Sequence, residues 1–324
     1  MSALADSPGS PRGHWAQMGE GTLVLGIWLL YWVHRLLGRW PYRVCVYPVV
    51  VAYWLSRPVL RRASREYLER LEAATGALGY APTARDSLHH VAVFAETVLD
   101  KVLAVSGRYR YERVQTSPGR EQLYAVAARG QGGLIVTAHV GCLELCRGLA
   151  EHRGSLKLNI LVHTRHAEQF NRMLKRMNPE HDVNLMEVTD VNPATAVLLN
   201  EKVARGEYVA IAGDRVPVVA SQTVVADFLG HPAPFPVGPW VLAFLLKCPV
   251  WLLACVHDGP GYRVHAELLA EQVLLPRANR QAALAGYAAH YAEALGRLLR
   301  RSPFDWFNFF HFWDQAHGAT VPES

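Results

Sequence analysis

The arrangement in this sequence best suited to proton transfer is a histidine at the end of a short apolar run with a glutamate five positions later. Residues 132–150 read GGLIVTAHVGCLELCRGLA. Residues 134–138 are largely apolar and deliver His139, Gly141 permits a tight turn, and the apolar segment that follows carries Glu144. The pattern predicts a buried strand, a turn and the first turn of a helix. The H-x4-E spacing then sets the histidine just before the helix and the carboxylate near its start. In that arrangement Glu144 accepts a hydrogen bond from one imidazole nitrogen and leaves the other to take a proton from an alcohol or amine. The positive end of the helix dipole favours an ionised Glu144. Spacing alone does not separate this reading from a histidine packed, partly buried, at a strand end.

The same stretch offers two other chemistries, and both are weaker. Cys142 lies three residues from His139, but its flanks are those of a packed helix start, and buried structural cysteines are inert. His139, Cys142 and Cys146 could be read as zinc ligands, yet no second, spaced Cys/His set completes such a site. No G-x-S-x-G nucleophile elbow occurs. Direct transfer remains: His139 deprotonates a hydroxyl or amine, which attacks an activated carbonyl beside it. Backbone amides at the helix start near Gly141, or a nearby arginine, would stabilise the oxyanion. Arg165 and Arg215 suit phosphate clamps on a pantetheine arm or a lipid headgroup, and equally suit surface ion pairs. His89, His90 and Glu96 are placed on the polar side of a helix or at the cleft edge, with no role assigned.

The elements that must position these residues alternate along the chain. Helical spacing runs over 83–105, where Leu88, Val91, Ala95, Val98, Leu99 and Val102 share a face, and again over 119–129. After the His139 segment come strands at 156–163 and 183–188 with a helix at 167–177 between them. A helix at 192–206 follows, then a strand at 207–215. A strand at 223–230, a turn leading into an apolar helix over 234–247, strands at 249–256 and 261–268, and a helix over 277–301 complete the series. This rhythm is that of an α/β domain, in which polar residues collect where strands end. His139, Arg165, Asp214 and Arg215 all sit at such ends, so one cleft could gather them. The aromatic tail PFDWFNFFHFWD (303–314) reads as core or interfacial packing in preference to an acyl groove.

The chain has 324 residues, 51% of them hydrophobic and 19% charged, with a mean hydropathy of +0.05. That length allows one large or two ordinary domains, and the composition is too polar for a multi-span membrane protein. Net charge +5 and pI ≈ 9.0 call for an anionic partner. No nucleic-acid-binding motif accompanies the basic residues, so anionic lipid or an acidic carrier protein fits better. Five cysteines, at 45, 142, 146, 248 and 255, predict buried, reduced thiols and a cytosolic setting. The first twenty residues lack the apolar core of a secretory signal. Residues 1–20 are expected to form a disordered tail and 21–60 a membrane anchor or interfacial helix pair. Its uncharged runs fall short of the roughly 20 residues a spanning helix needs. Tryptophans at 15, 28, 32, 40 and 54 suit headgroup depth, and the arginines are expected to face lipid headgroups. Residues 61–318 are expected to form the catalytic domain.

Several blocks, in order, resemble one family. RLLGRWPYRVCVYPVV, RRASREYLERL, FAETVLDK, AHVGCLE, AGDR, APFPVGPW and DWFNFFHFW together resemble the bacterial late acyltransferases of lipid A biosynthesis, within the lysophospholipid acyltransferase-like superfamily. The nearest branch is the one associated with aryl polyene and related glycolipid gene clusters. The resemblance implies a central mixed sheet flanked by helices, with an N-terminal membrane-anchoring helical segment. It implies His139 as general base and Glu144 as its orienting carboxylate. It places Arg165 and Asn171 in the substrate-binding second block, Gly213, Asp214 and Arg215 in the third, and Phe235, Pro236 and Gly238 in the turn after it. It further implies an inner-membrane enzyme facing the cytoplasm that takes acyl chains from acyl carrier protein to a lipid or glycolipid, with no metal or organic cofactor. The third block reads GDR where the lipid A enzymes often carry acid–glutamine patterns, which leaves the acceptor open. The rival readings are a catalytically silent lipid-binding or scaffold protein and a thioesterase-like hydrolase.

Overall fold

The computed structural model describes residues 20–146, 156–162, 185–187, 193–215 and 222–314. Within these, the strands are β1 (Val114–Thr116), β2 (Gly133–Thr137), β3 (Leu158–Val162), β4 (Leu185–Glu187), β5 (Tyr208–Ala212), β6 (Thr223–Phe228), β7 (His231–Pro236), β8 (Val250–Asp258) and β9 (Gly261–Ala270). A mixed sheet runs in the order β1-β9-β8-β2-β5-β3-β4. Strands β8, β2, β5, β3 and β4 are mutually parallel. The hairpin strand β9 runs antiparallel to β8, and β1 lies parallel to β9. Central strands buried on both faces should read as continuous apolar runs. Every residue of β2 is indeed buried, and the first seven of β8 are too.

The α/β expectation therefore holds, with a central mixed sheet flanked by helices. Helices α5 (Pro118–Ala128), α6 (Pro193–Ala204), α7 (Gly238–Leu246) and α8 (Arg280–Arg301) fall where periodicity put them. The ribbon β6–β7 is different, because the second half of its second strand, HPAPFP, falls in the stretch from 234 that reads from sequence as a turn. Pro232, Pro234 and Pro236 occupy alternate positions of β7. Their missing N–H groups therefore share the edge away from β6, where no ladder bond is lost.

Four helices precede the sheet: α1 (Glu20–Leu37), α2 (Arg39–Ser56), α3 (Pro58–Thr75) and α4 (Ala84–Val105). The face of α4 foreseen from its spacing packs against α1–α3, with Val91, Leu99 and Val102 buried beside Tyr31, Tyr42, Val46 and Val50. Among the described residues no helix is long and apolar enough to cross a membrane. Much of α1 and α2 is nevertheless apolar and exposed, including Leu29, Trp32, Leu36, Trp40, Val49 and Leu55.

Two arginines of this region, expected to face lipid headgroups, stay partly exposed but are paired with acids of α4. Arg39 donates to Asp100 at 2.8 Å and to Glu96 at 3.3 Å, and Arg43 donates to Glu96 at 2.8 Å. The cause is the burial of Asp100 and Glu96 on the inner face of α4, since a buried carboxylate must be paired or neutralised. Glu96 is held below the usual carboxylate range. Burial pushes its pKa up, but the Arg43 and Tyr47 hydrogen bonds and both guanidinium charges outweigh that. Cys142, Cys146, Cys248 and Cys255 are free and buried as expected, whereas Cys45 is exposed.

Replacing Arg39 by Met leaves the Asp100 carboxylate buried without its cation. Unfolding in urea should show a loss of about 3 kcal/mol, the low end for breaking a buried pair, because Arg39 itself is partly solvated. A change below about 1 kcal/mol would mean the pair is solvated well enough to contribute little.

Candidate active site

Strand register brings the central pair together. Strands β2 and β5 are parallel neighbours with Thr137 opposite Ala212. His139 and Asp214 each lie two residues beyond those partners, so they emerge side by side at the same end of the sheet. Neighbouring strands are about 4.8 Å apart, close enough for a side-chain hydrogen bond. The Nδ1 of His139 lies 2.8 Å from Asp214 Oδ1, and the His139 backbone N–H donates to Oδ2 at 2.9 Å. Gly213 makes the approach possible. Its N–H donates to Thr137 O at 2.9 Å, and a Cβ there would stand 2.5 Å from Val136 Cγ1.

The carboxylate on the ring is therefore Asp214, and the Glu144 expected there is turned elsewhere. Glu144 Oε1 lies 2.9 Å from Lys101 Nζ, and Oε2 accepts a 3.7 Å contact from the Cys142 thiol. Local spacing favoured the nearby acid, whereas the sheet supplies one 75 residues away. With Nδ1 protonated and donating to Asp214, Nε2 is the nitrogen left to accept a proton. The ring is partly exposed, its side chain retaining 36% of its accessible surface, while that of Asp214 retains none.

Two more donors reach Asp214 from the aromatic tail. Trp306 Nε1 donates to Oδ2 at 2.9 Å and Asn308 Nδ2 does so at 3.0 Å. Burial alone would raise this carboxyl group's pKa. The His139 charge and hydrogen bond, the Arg215 charge and the His139 backbone N–H reverse that and bring it down to about 2. Arg215 is tied to the same segment, its Nε donating to Asn308 Oδ1 at 2.8 Å and one terminal nitrogen to Phe307 O at 3.2 Å.

The tail, read from sequence as packing, is thus the back wall of the site. It pairs with the His139 turn: Phe307 N donates to His139 O at 2.8 Å and Gly141 N to Asp305 O at 2.9 Å. Asp305 repeats the Asp214 pattern with His257, whose Nδ1 and backbone N each lie 2.6 Å from a carboxylate oxygen. His90, which was expected on a polar face or cleft edge, is buried between Ser64 Oγ at 3.0 Å and Trp306 O at 2.8 Å. Nothing in the sequence spacing marks Trp306, Asn308 or His257 as site residues, because their partners are remote in the chain.

Other expectations fare unevenly. Two of the amides near Gly141 proposed for an oxyanion are engaged: Gly141 N–H meets Asp305 O, and Cys142 N–H donates to Cys255 O at 2.8 Å. Gly141 adopts φ +53, and a Cβ there would lie 2.0 Å from Cys255 O. This is the close approach that only glycine tolerates. Burial holds the Cys142 thiol well above its ordinary pKa, so it is not a nucleophile. Among the described residues no group of three His, Cys, Asp or Glu could hold a metal. Arg165 and Asn171 lie outside the described residues. Phe235 and Pro236 are buried, Phe235 against Tyr291, whose hydroxyl donates to Thr137 O at 2.9 Å. Phe235 therefore supports the floor beneath the pair, while Gly238 is exposed at the start of α7.

A histidine–carboxylate pair at the end of a mixed α/β sheet, with no nucleophilic side chain bonded to the imidazole among the described residues, is an arrangement suited to taking a proton directly from a substrate. Residues 88–314 match the family of bacterial lipid A biosynthesis acyltransferases, and the chain belongs to that family. It is accordingly an acyltransferase, an enzyme that moves an acyl group to a lipid. No curated protein matches the chain.

The lowered pKa of Asp214 sets a pH window. A group whose pKa falls on folding contributes stability above its unfolded value, near 3.9, and loses it as pH drops through the folded one. The wild type should therefore lose on the order of 2–3 kcal/mol between about pH 5 and 2 that the Asp214→Asn variant does not lose over that range. Urea unfolding across the range checks this, and parallel pH profiles for the two proteins would contradict it.

Proposed function

We propose that the protein transfers a fatty acyl chain from acyl carrier protein to a hydroxyl, or an amine, of a lipid or glycolipid at the cytoplasmic face of the bacterial inner membrane. The observation that carries this reading is the His139–Asp214 pair, with Nε2 left to accept a proton, in a chain of this family. His139 Nε2 takes the acceptor's proton as its oxygen attacks the thioester carbonyl. The tetrahedral oxyanion then collapses, the C–S bond breaks, and the imidazolium returns the proton to the departing thiolate. Asp214 stays ionised throughout and stabilises the imidazolium, fixing the ring in the productive tautomer. No covalent acyl-enzyme is required.

Two features support the donor and the setting. A net charge of +5 suits an acidic carrier protein and an anionic membrane surface. The exposed apolar side chains of α1 and α2, tryptophans among them, suit embedding at headgroup depth without spanning. A hydroxylated lipid other than the lipid A precursor, such as an aryl polyene headgroup or a glycolipid, remains a fitting acceptor in view of the GDR block.

Purified protein with acyl-loaded carrier protein and host lipid extract should form an acylated lipid that mass spectrometry identifies. His139→Ala should lower the rate about 10²–10⁴-fold, and cells carrying it should lack one acyl chain on a defined lipid. Release of free fatty acid with no acylated lipid would instead make the protein a hydrolase. An unchanged lipid profile in those cells would make it a scaffold.

A further inference from the structure

Since Asp214 and not Glu144 orients His139, the carboxylate of the H-x4-E segment needs another task. We propose that Glu144 acts through Lys101. On this view Lys101 and Arg215 form a cationic site beside the His139–Asp214 pair that binds a negatively charged oxygen of the acyl donor. That oxygen is either the oxyanion that forms on the thioester carbon or a phosphate of the donor. The inference rests on the acyl-transfer reading above and assigns the charge stabilisation that reading leaves unsupplied.

Three observations carry it. The amides of Gly141 and Cys142 are consumed by Asp305 O and Cys255 O, so they are closed to an oxyanion. Glu144 fixes Lys101 at 2.9 Å, while the Lys101 side chain keeps 33% of its accessible surface. An ammonium held in this way by one carboxylate oxygen has donors left for a ligand. Third, Lys101 lies on the face of α4 that meets the tail whose Phe307 bonds the His139 turn. Residues 94, 98 and 101 share one face of α4, and the Phe94 ring sits 5.2 Å from that of Phe307. The Phe307 carbonyl in turn accepts from Arg215 at 3.2 Å, which ties that guanidinium to the same tail.

During transfer the acceptor oxygen forms its bond to the thioester carbon, and the carbonyl electron pair moves onto oxygen facing Lys101. Collapse then expels the thiolate, which receives its proton from His139. Lys101 exchanges no proton, and Glu144 is a positioning residue that touches no substrate.

The test uses the full-length protein with acyl-phosphopantetheine and acyl-pantetheine as donors. Lys101→Met and Glu144→Gln should each slow transfer about 10²-fold or more, and Lys101→Arg should recover most of the loss. The exchanged double variant Lys101→Glu/Glu144→Lys keeps the ion pair and should melt like the wild type yet stay inactive, which a merely structural pair would not do. A fall in kcat with KM unchanged identifies the oxyanion as the ligand. A rise in KM confined to the phosphorylated donor identifies the phosphate. Lys101→Met transferring within about threefold of the wild type, or an active exchanged variant, would overturn the proposal. A wild type that transfers nothing removes the functional reading instead. In that case, equal calorimetric affinities of wild type and Lys101→Met for acyl-phosphopantetheine would overturn this proposal as well, and a weaker Lys101→Met would support it.

Discussion

A carboxylate with no exposed surface at the end of a parallel sheet is unstable unless donors converge on it, and the architecture around Asp214 meets that condition. His139 supplies a ring nitrogen and a backbone N–H, Trp306 an indole N–H and Asn308 an amide. Each bond to an ionised acceptor is stronger than its neutral counterpart, and leaving one unmade in a buried site is costly. The carboxylate thereby becomes a fixed negative charge that selects one tautomer of His139. The register of β2 and β5 places the two residues, and the tail at 305–308 keeps them from relaxing apart.

That tail is a strap anchored independently of the pair it serves. Asp305 is held by His257 and by Ser302 Oγ at 2.5 Å, and the carbonyl of Trp306 is held by buried His90. The Trp306 indole packs against Phe228 and Phe312 at centroid separations of 5.3 and 5.1 Å. The strap is therefore clamped from α4, β8 and the β6–β7 ribbon at once. Such convergence explains how a loop with no strand ladder of its own presents donors with the precision that pre-organised catalysis requires.

The sheet and most helices were legible because their signals are local: continuous apolar runs for strands buried on both faces, and a 3.6-residue period for α4 and α8. β7 was missed because its prolines argue against a strand, and only the free edge of a two-stranded ribbon reconciles them. Within the site, His139 and the strand-end position of Asp214 were visible, but their partnership was not. A spacing rule links residues close in sequence, whereas register links residues 75 positions apart. The same limitation assigned Glu144 to the imidazole when Lys101, reached across from α4, takes it. Arg39 and Arg43 looked like headgroup ligands because their acidic partners lie more than fifty residues on.

The central claim is that Asp214, and not Glu144, fixes His139 with its proton on Nδ1. Nitrogen-15 NMR of histidine-labelled protein, with the His139 signals assigned by their loss in His139→Ala, reads the tautomer and the hydrogen bond directly. A neutral ring protonated at Nδ1, with a low-field proton that vanishes in Asp214→Asn and persists in Glu144→Gln, is the predicted result. A His139 proton on Nε2, or an Nδ1 proton lost in Glu144→Gln and unaffected in Asp214→Asn, would contradict it.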